Sequence, residues 1–121
     1  MKILIIDDSS VARRTIGLTV EALGYDVLEA PNGKEGLSLL EKNVDQISLV
    51  LLDWNMPGLT GLEVLQEIRK NSKYETIPVM MVTTEMERSN MIAAVKAGAK
   101  HYVTKPFTPE SLSIRIMQCL G

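Results

Sequence analysis

Three short runs, residues 3–6, 48–52 and 79–82, are almost wholly apolar, and they restrict the fold more than any other feature of the chain. A strand that shows one face to water alternates apolar and polar residues. A run that is apolar at nearly every position must be covered on both faces, as a parallel strand is between two layers of helices. Two further strand-length runs, 26–29 and 101–104, fall in the same rhythm.

Helical patterns occupy the intervals. Ala12, Ile16, Val20 and Leu23 share one helical face, and Gly24 stands where a C-terminal cap belongs. Pro31-Asn32-Gly33 makes a turn, and a shorter helical segment carrying Leu37, Leu39 and Leu40 follows it. Residues 60–70 read as a third helix with Leu62, Leu65 and Ile68 inward, and residues 85–97 as a fourth, ended by Gly98. A fifth starts at Thr108-Pro109 and reaches Leu120. Strict alternation of strand and helix predicts a single parallel sheet with right-handed crossovers and helices on both faces. Five such units in 121 residues, too few for two independent cores, predict one α/β domain over residues 1–121, with the flavodoxin-like strand order 2-1-3-4-5.

Composition removes several function classes. A formal net charge of -2 argues against a nucleic-acid binder, which would present a basic face. Cys119 is the only cysteine and His101 the only histidine, so neither an internal disulfide nor a His/Cys structural zinc site is available. The run at residues 3–6 is cut short by Asp7-Asp8, unlike a signal peptide, and no window approaches the ~20 apolar residues of a membrane span. A soluble, cytoplasmic protein without membrane or nucleic-acid partners is expected.

In a 2-1-3-4-5 sheet the crevice between strands 1 and 3 is the topological switch point, and ligands bind there, beyond the carboxyl ends of the strands. Strand 1 ends in Asp7-Asp8, strand 3 in Asp53, strand 4 in Thr83-Thr84 and strand 5 in Thr104-Lys105-Pro106. Neighbouring strands lie about 4.8 Å apart, which brings Asp7, Asp8 and Asp53 into one crevice. Carboxylates so close repel unless a cation compensates them. Lys105 is long enough to reach Asp53 but supplies one positive charge only. A divalent cation resolves the imbalance, and a small set of oxygen donors favours Mg²⁺. The same residues suit phosphoryl transfer, with Asp53 as the nucleophile that carries an acyl phosphate and Lys105 and Thr83 on the transferred oxygens. No second residue is placed as a strong base, so a slow, self-limited reaction is expected in place of rapid turnover.

The segments Ile6-Asp7-Asp8-Ser9-Ser10, Leu52-Asp53-Trp54-Asn55-Met56-Pro57-Gly58, Val82-Thr83 and Lys105-Pro106-Phe107 occur in the order and spacing of the receiver domains of bacterial two-component response regulators. The chain resembles that family along its whole length. Within it the chain is most similar to single-domain chemotaxis regulators, through Asp53 to Pro57, Ile92-Ala93-Ala94, Ala97-Gly98-Ala99 and Lys105 to Thr108. The resemblance implies that Asp53 is the phosphoacceptor, supplied by a histidine kinase. It implies Mg²⁺ on Asp7, Asp8, Asp53 and the backbone carbonyl of Asn55, a switch pair of Thr83 and Tyr102, and Lys105 on a phosphoryl oxygen before a cis Lys105-Pro106 bond. The output face would comprise the fourth helix, fifth strand and fifth helix. Two positions depart from the common pattern. Ser9 stands where a bulky aromatic is usual in chemotaxis regulators, and Thr84 stands where alanine or glycine is common, beside the path of attacking water.

The leading reading is therefore a stand-alone, monomeric response regulator without an effector domain, a signalling switch and not an enzyme. It would bind a target such as the flagellar motor switch when phosphorylated, with a phosphatase as a further possible partner. A phosphoryl sink or relay intermediate remains open. A small aspartyl-phosphate phosphatase is the alternative from another class, but it should carry a second carboxylate where Asn55 stands. A flavodoxin-like cofactor carrier is disfavoured because Asp7-Asp8 would repel its phosphate. Met80, Met81 and Met117 are expected in the core, and so are Ile92 and Val95. Met86 and Met91, near Tyr102, are candidates for an adaptable partner-binding surface. Cys119 is expected to be a small apolar residue of the last helix.

Overall fold

The structure, a computed structural model, describes residues 1–121. Strands β1 (Lys2–Ile6), β2 (Asp26–Ala30), β3 (Ile47–Leu52), β4 (Val79–Thr83) and β5 (His101–Thr104) alternate with helices α1 (Ser10–Ala22), α2 (Gly33–Lys42), α3 (Gly61–Lys70), α4 (Arg88–Lys96) and α5 (Pro109–Leu120). All strand pairs are parallel, in the order β2-β1-β3-β4-β5, as the alternation predicts.

Side chains alternate across each strand, so the apolar runs feed two cores. Leu4 and Ile6 point to one side, where α2, α3 and α4 cover them with Leu40, Val64, Leu65, Ile68 and Ala94. Ile3 and Ile5 point to the other, against Ile16 and Val20 of α1 and Leu112, Ile116 and Cys119 of α5. Each of the four β1 side chains is at most 1% exposed, and burying each stabilises the fold by about 1.5–3 kcal/mol. Gly36 lets α2 lie directly on β1, since a Cβ there would collide with Ile6.

The helix ends follow their capping residues. Ser9 accepts from the Ala12 amide, Asn32 from Glu35, Thr60 from Glu63 and Thr108 from Ser111, and Gly24 takes the left-handed φ of +93° that closes α1. Thr60 and Thr108 head capping boxes.

Four expectations change. Helix α4 starts at Arg88 and not near residue 85, because the Thr83 hydroxyl accepts from the Glu85 amide and the Glu85 carboxylate from the Glu87 amide. Those local turns satisfy the backbone in place of a helix. Helix α4 buries only Ala94, and Ile92 and Val95 stay 44% and 57% exposed. In α3 the inward line is Gly61, Val64, Leu65 and Ile68, which leaves Leu62 half-buried at its margin. In α5 the buried positions are Leu112, Ile116 and Cys119, so Met117 projects to the opposite side and is 52% exposed. Met80 and Met81 are fully buried, as expected of a strand covered on both faces.

Candidate functional site

Register places the acids. Ile6 pairs with Leu52 across the β1–β3 ladder, so the next residues, Asp7 and Asp53, leave the sheet side by side. The Asp53 amide donates to the Ile6 carbonyl at 3.0 Å, and the Asp7 amide to the Ala30 carbonyl at 3.1 Å. On the other side, Thr83 pairs with Thr104, and the Lys105 amide donates to the Thr83 carbonyl at 2.9 Å. The Lys105-Pro106 bond is cis. The loop after Asp53 is pinned by Gly61, whose amide donates to the Trp54 carbonyl at 2.8 Å. A Cβ at Gly61 would run into the Asp53 carbonyl oxygen and stand 2.8 Å from the Trp54 Cα.

Carboxylate oxygens of Asp7, Asp8 and Asp53 all lie within 4.8 Å of one another. Asp7 and Asp53 are 1% and 7% exposed, whereas Asp8 is open to solvent. Asp7 is fully engaged: its Oδ1 accepts from the Ser9 amide at 2.9 Å and its Oδ2 from Lys105 Nζ at 2.5 Å. The lysine is thus closer to Asp7 than to Asp53, whose Oδ2 lies 3.7 Å away. Lys105 reaches Asp53, as its length predicts, and bridges it to Asp7.

Asp53 Oδ1 is buried and makes no hydrogen bond. Burial pushes the Asp53 carboxyl above its ordinary value, opposed by the Thr83 hydroxyl, reinforced by Asp7, and further opposed by Lys105 and the Trp54 amide. The Thr83 hydroxyl favours the anion by its nearness, since no bond of full hydrogen-bond geometry joins it to Asp53 Oδ1. Three carboxylates against one lysine leave a negative excess, and the free oxygens are those of Asp53 and Asp8. All-oxygen donors of this number and charge fit a hard divalent cation that retains several waters, as Mg²⁺ does.

Thr83 and Tyr102 meet through Glu85. The buried Thr83 hydroxyl accepts from the Glu85 amide at 3.2 Å, and the Tyr102 hydroxyl donates to the Glu85 carbonyl at 2.6 Å. Burial first, then the charges of Glu85 and Asp53, push the Tyr102 phenol up to about 12. Asn55 is exposed on the loop after Asp53, and Thr84 is exposed after β4. Met86 is 64% exposed and Met91 half-buried, and with Ile92 and Val95 they leave α4 and the loop before it rich in apolar surface. Cys119 is buried among the α5 core residues, as expected.

Sequence reasoning missed two participants. Glu85 had no motif to mark it, because it acts through its backbone. Arg13 donates from Nη1 to the Asp7 carbonyl at 2.6 Å and from Nε to Glu29 at 3.0 Å. Glu29 lies on β2, so only the strand order brings it to Arg13.

A parallel five-stranded sheet with an acidic cluster at its switch point defines a class, and comparison with known proteins gives the same one. The family model described as the response regulator receiver domain matches residues 3–117, and the chain belongs to that family. The strand order and the family are one piece of evidence, since CheY itself exemplifies the 2-1-3-4-5 arrangement. Among curated proteins, the chain is 47% identical to the chemotaxis protein CheY homolog of Campylobacter jejuni, over 100% of this chain and 93% of that one. It is 43% identical to the chemotaxis protein CheY1 of Helicobacter pylori, over 100% and 98%. Among solved structures, chemotaxis protein CheY4 of Vibrio cholerae superposes with a TM-score of 0.91 at 33% identity, covering 98% of each chain. The chain is thus a receiver resembling the CheY chemotaxis response regulators. No helix is long and apolar enough to cross a membrane.

Proposed function

We propose that residues 1–121 work as a single receiver domain that is phosphorylated on Asp53 by a histidine kinase and changes its affinity for a target protein in chemotaxis. The observation that carries this reading is the buried, unpartnered Oδ1 of Asp53 inside a cluster of three carboxylates. An Asp53 oxygen attacks the donor's phosphorus, a new O–P bond forms, and the donor's bond to phosphorus breaks with its electron pair leaving on the donor. Water later cleaves the acyl phosphate and restores the carboxylate. Asp7, Asp8, Asp53 and the Asn55 carbonyl would hold Mg²⁺, which supplies charge stabilisation on the transferring oxygens.

Lys105 Nζ, already between Asp7 and Asp53, would bind one phosphoryl oxygen, and the Thr83 hydroxyl another. To do so the hydroxyl must give up the Glu85 amide, which links the site to Tyr102. The output surface is that of α4, β5 and α5, with Met86 and Met91 as apolar contacts near Tyr102. The similarity to proteins named for chemotaxis favours a motor-switch target over a phosphoryl sink or relay. The cytoplasm is the setting this requires, and the chain acts as a monomeric switch without multiple turnover. Asn55, where an aspartyl-phosphate phosphatase would carry an acid, supports that choice.

The test is intact mass after incubation with acetyl phosphate, with and without Mg²⁺, on this protein and on Asp53→Asn. One phosphoryl addition that needs both Mg²⁺ and Asp53 is expected. No addition from acetyl phosphate or from a cognate histidine kinase refutes the reading.

A further inference from the structure

The Asp8 side chain makes no hydrogen bond and no ion pair and stands in solvent, yet it belongs to the acidic cluster. What places its Cα is the peptide that joins it to Asp7. That peptide's carbonyl accepts from Arg13 Nη1 at 2.6 Å. The same guanidinium donates through Nε to Glu29 Oε1 at 3.0 Å, and Arg13 is only 16% exposed. One residue after Glu29, the Ala30 carbonyl holds the Asp7 amide at 3.1 Å. Asp7 is therefore gripped from β2 on both sides of its Cα, directly through its amide and by way of Arg13 through its carbonyl. With the Asp7–Asp8 peptide plane held, the Asp8 Cα is fixed beside the cluster, and its carboxylate reaches the cation by rotation about its own side-chain bonds.

We propose that Arg13, braced by Glu29, is a positioning residue that places Asp8 within reach of the cation. This rests on the reading of Asp7, Asp8 and Asp53 as a Mg²⁺ site. Arg13 suits the task because a planar guanidinium presents two donors in a rigid fork, one for a carbonyl and one for a carboxylate. Lysine has the charge without the fork. An arginine beside acids would by itself repel a cation, but Glu29 offsets that charge. Removing both residues takes away the brace and leaves the net charge of the neighbourhood unchanged.

The experiment is a Mg²⁺ titration of the full chain, followed by Trp54 fluorescence and by calorimetry, on the wild type, Arg13→Lys and the double variant Arg13→Ala/Glu29→Ala. Acetyl phosphate labelling at saturating Mg²⁺ and a urea transition accompany each. Partners that orient metal ligands typically change affinity by about tenfold or more, so both variants should need roughly tenfold more Mg²⁺. Labelling at saturating Mg²⁺ should stay within about twofold of wild type, because binding of the cation is lost and not the acceptor. A purely structural tether would lower the urea midpoint and leave the Mg²⁺ midpoint in place, and that result overturns the proposal. So does a fall in labelling that saturating Mg²⁺ does not restore. Arg13→Lys keeps the test open if the double variant fails to fold. A wild type that neither responds to Mg²⁺ nor accepts a phosphoryl group removes the site reading itself, an outcome distinct from unchanged variants of a responsive wild type.

Discussion

Replacing the proposed phosphoacceptor should make this protein more stable. Asp53 is 7% exposed, its Oδ1 has no hydrogen-bond partner, and its nearest cation lies 3.7 Å away, shared with Asp7. Asparagine at this position would have the same size without the charge, and its amide group adds donors beside the Asp7 carboxylate. Leaving a buried polar group unsatisfied costs more when it is charged, so removing the charge should give a gain of about 1–3 kcal/mol for Asp53→Asn at pH 7 in EDTA. For a chain of this length that is a rise in Tm of roughly 4–12 °C. The pH dependence has a definite sign. The folded Asp53 carboxyl is raised above 3.8, so its contribution is fully present below pH 3.8 and is lost as pH rises through the folded value. The gap between variant and wild type should accordingly be smallest in acid and open toward neutrality. Mg²⁺ at about 100 times its Kd should return about 2.7 kcal/mol to the wild type and much less to the variant. Urea unfolding of both proteins at pH 3.5 and 7, in EDTA and in Mg²⁺, measures every part of this. An Asp53→Asn variant no more stable than wild type in EDTA at pH 7 would refute the account of a strained, cation-deficient site.

Other consequences can be measured on the same preparations. Tyr102, with its phenol pushed up to about 12, should be missing from the phenolate absorbance at pH 10.5, and Tyr102→Phe should leave that spectrum unchanged while costing about 1 kcal/mol for the lost bond to Glu85. Gly61→Ala should destabilise by about 1–3 kcal/mol, because its Cβ has no space beside the Asp53 carbonyl, and should slow labelling by acetyl phosphate. Thr84→Ala should speed loss of the phosphoryl group from Asp53 if the Thr84 side chain crowds the path of water. An unchanged rate, followed by mass after removal of the donor, sinks that idea. Met86→Lys and Ile92→Lys alter exposed side chains, so labelling should be unaffected while binding to the proposed motor-switch target should weaken in a pull-down with phosphorylated protein.

How much of this was legible before the structure varied with the length of the pattern that carried it. Strands apolar on both faces announced a parallel sheet, and the parallel pairing of Ile6 with Leu52 then made Asp7 and Asp53 neighbours. Helix α4 was misjudged because its apolar residues, Ile92 and Val95, invite an inward reading, whereas contact with the sheet is made through the small Ala94. The start of that helix depends on whether Thr83 and Glu85 spend their hydrogen bonds locally, which periodicity does not register. Met117 stands five residues from Leu112 and hence on the far side of α5 from the core line through Leu112, Ile116 and Cys119. In the site, residue types and strand ends identified the acids and Lys105. That Lys105 also pairs with Asp7 was beyond their reach, because it depends on how the side chains are placed at the strand ends. The bond of Arg13 to Glu29 depends on β2 lying beside β1, a fact of topology and not of spacing.

The position of Glu85 offers a route by which the proposed reaction at Asp53 would be read at the surface. Its peptide groups hold both proposed switch residues, the amide bonding Thr83 and the carbonyl Tyr102. Each bond contributes about 1 kcal/mol net, so neither arrangement of the pair is favoured by more than a few kcal/mol. Two residues beyond Glu85, Glu87 occupies the N-cap of α4 without a side-chain capping bond, and the helix buries a single residue. A modest electrostatic change at Asp53 therefore acts on the least anchored helix of the domain through a link one residue long. The well-capped helices α3 and α5, with several buried residues each, would resist the same force. A phosphoryl group that draws the Thr83 hydroxyl away from Glu85 thus has one inexpensive response open to it, a rearrangement of residues 85–87 together with Tyr102 and the start of α4.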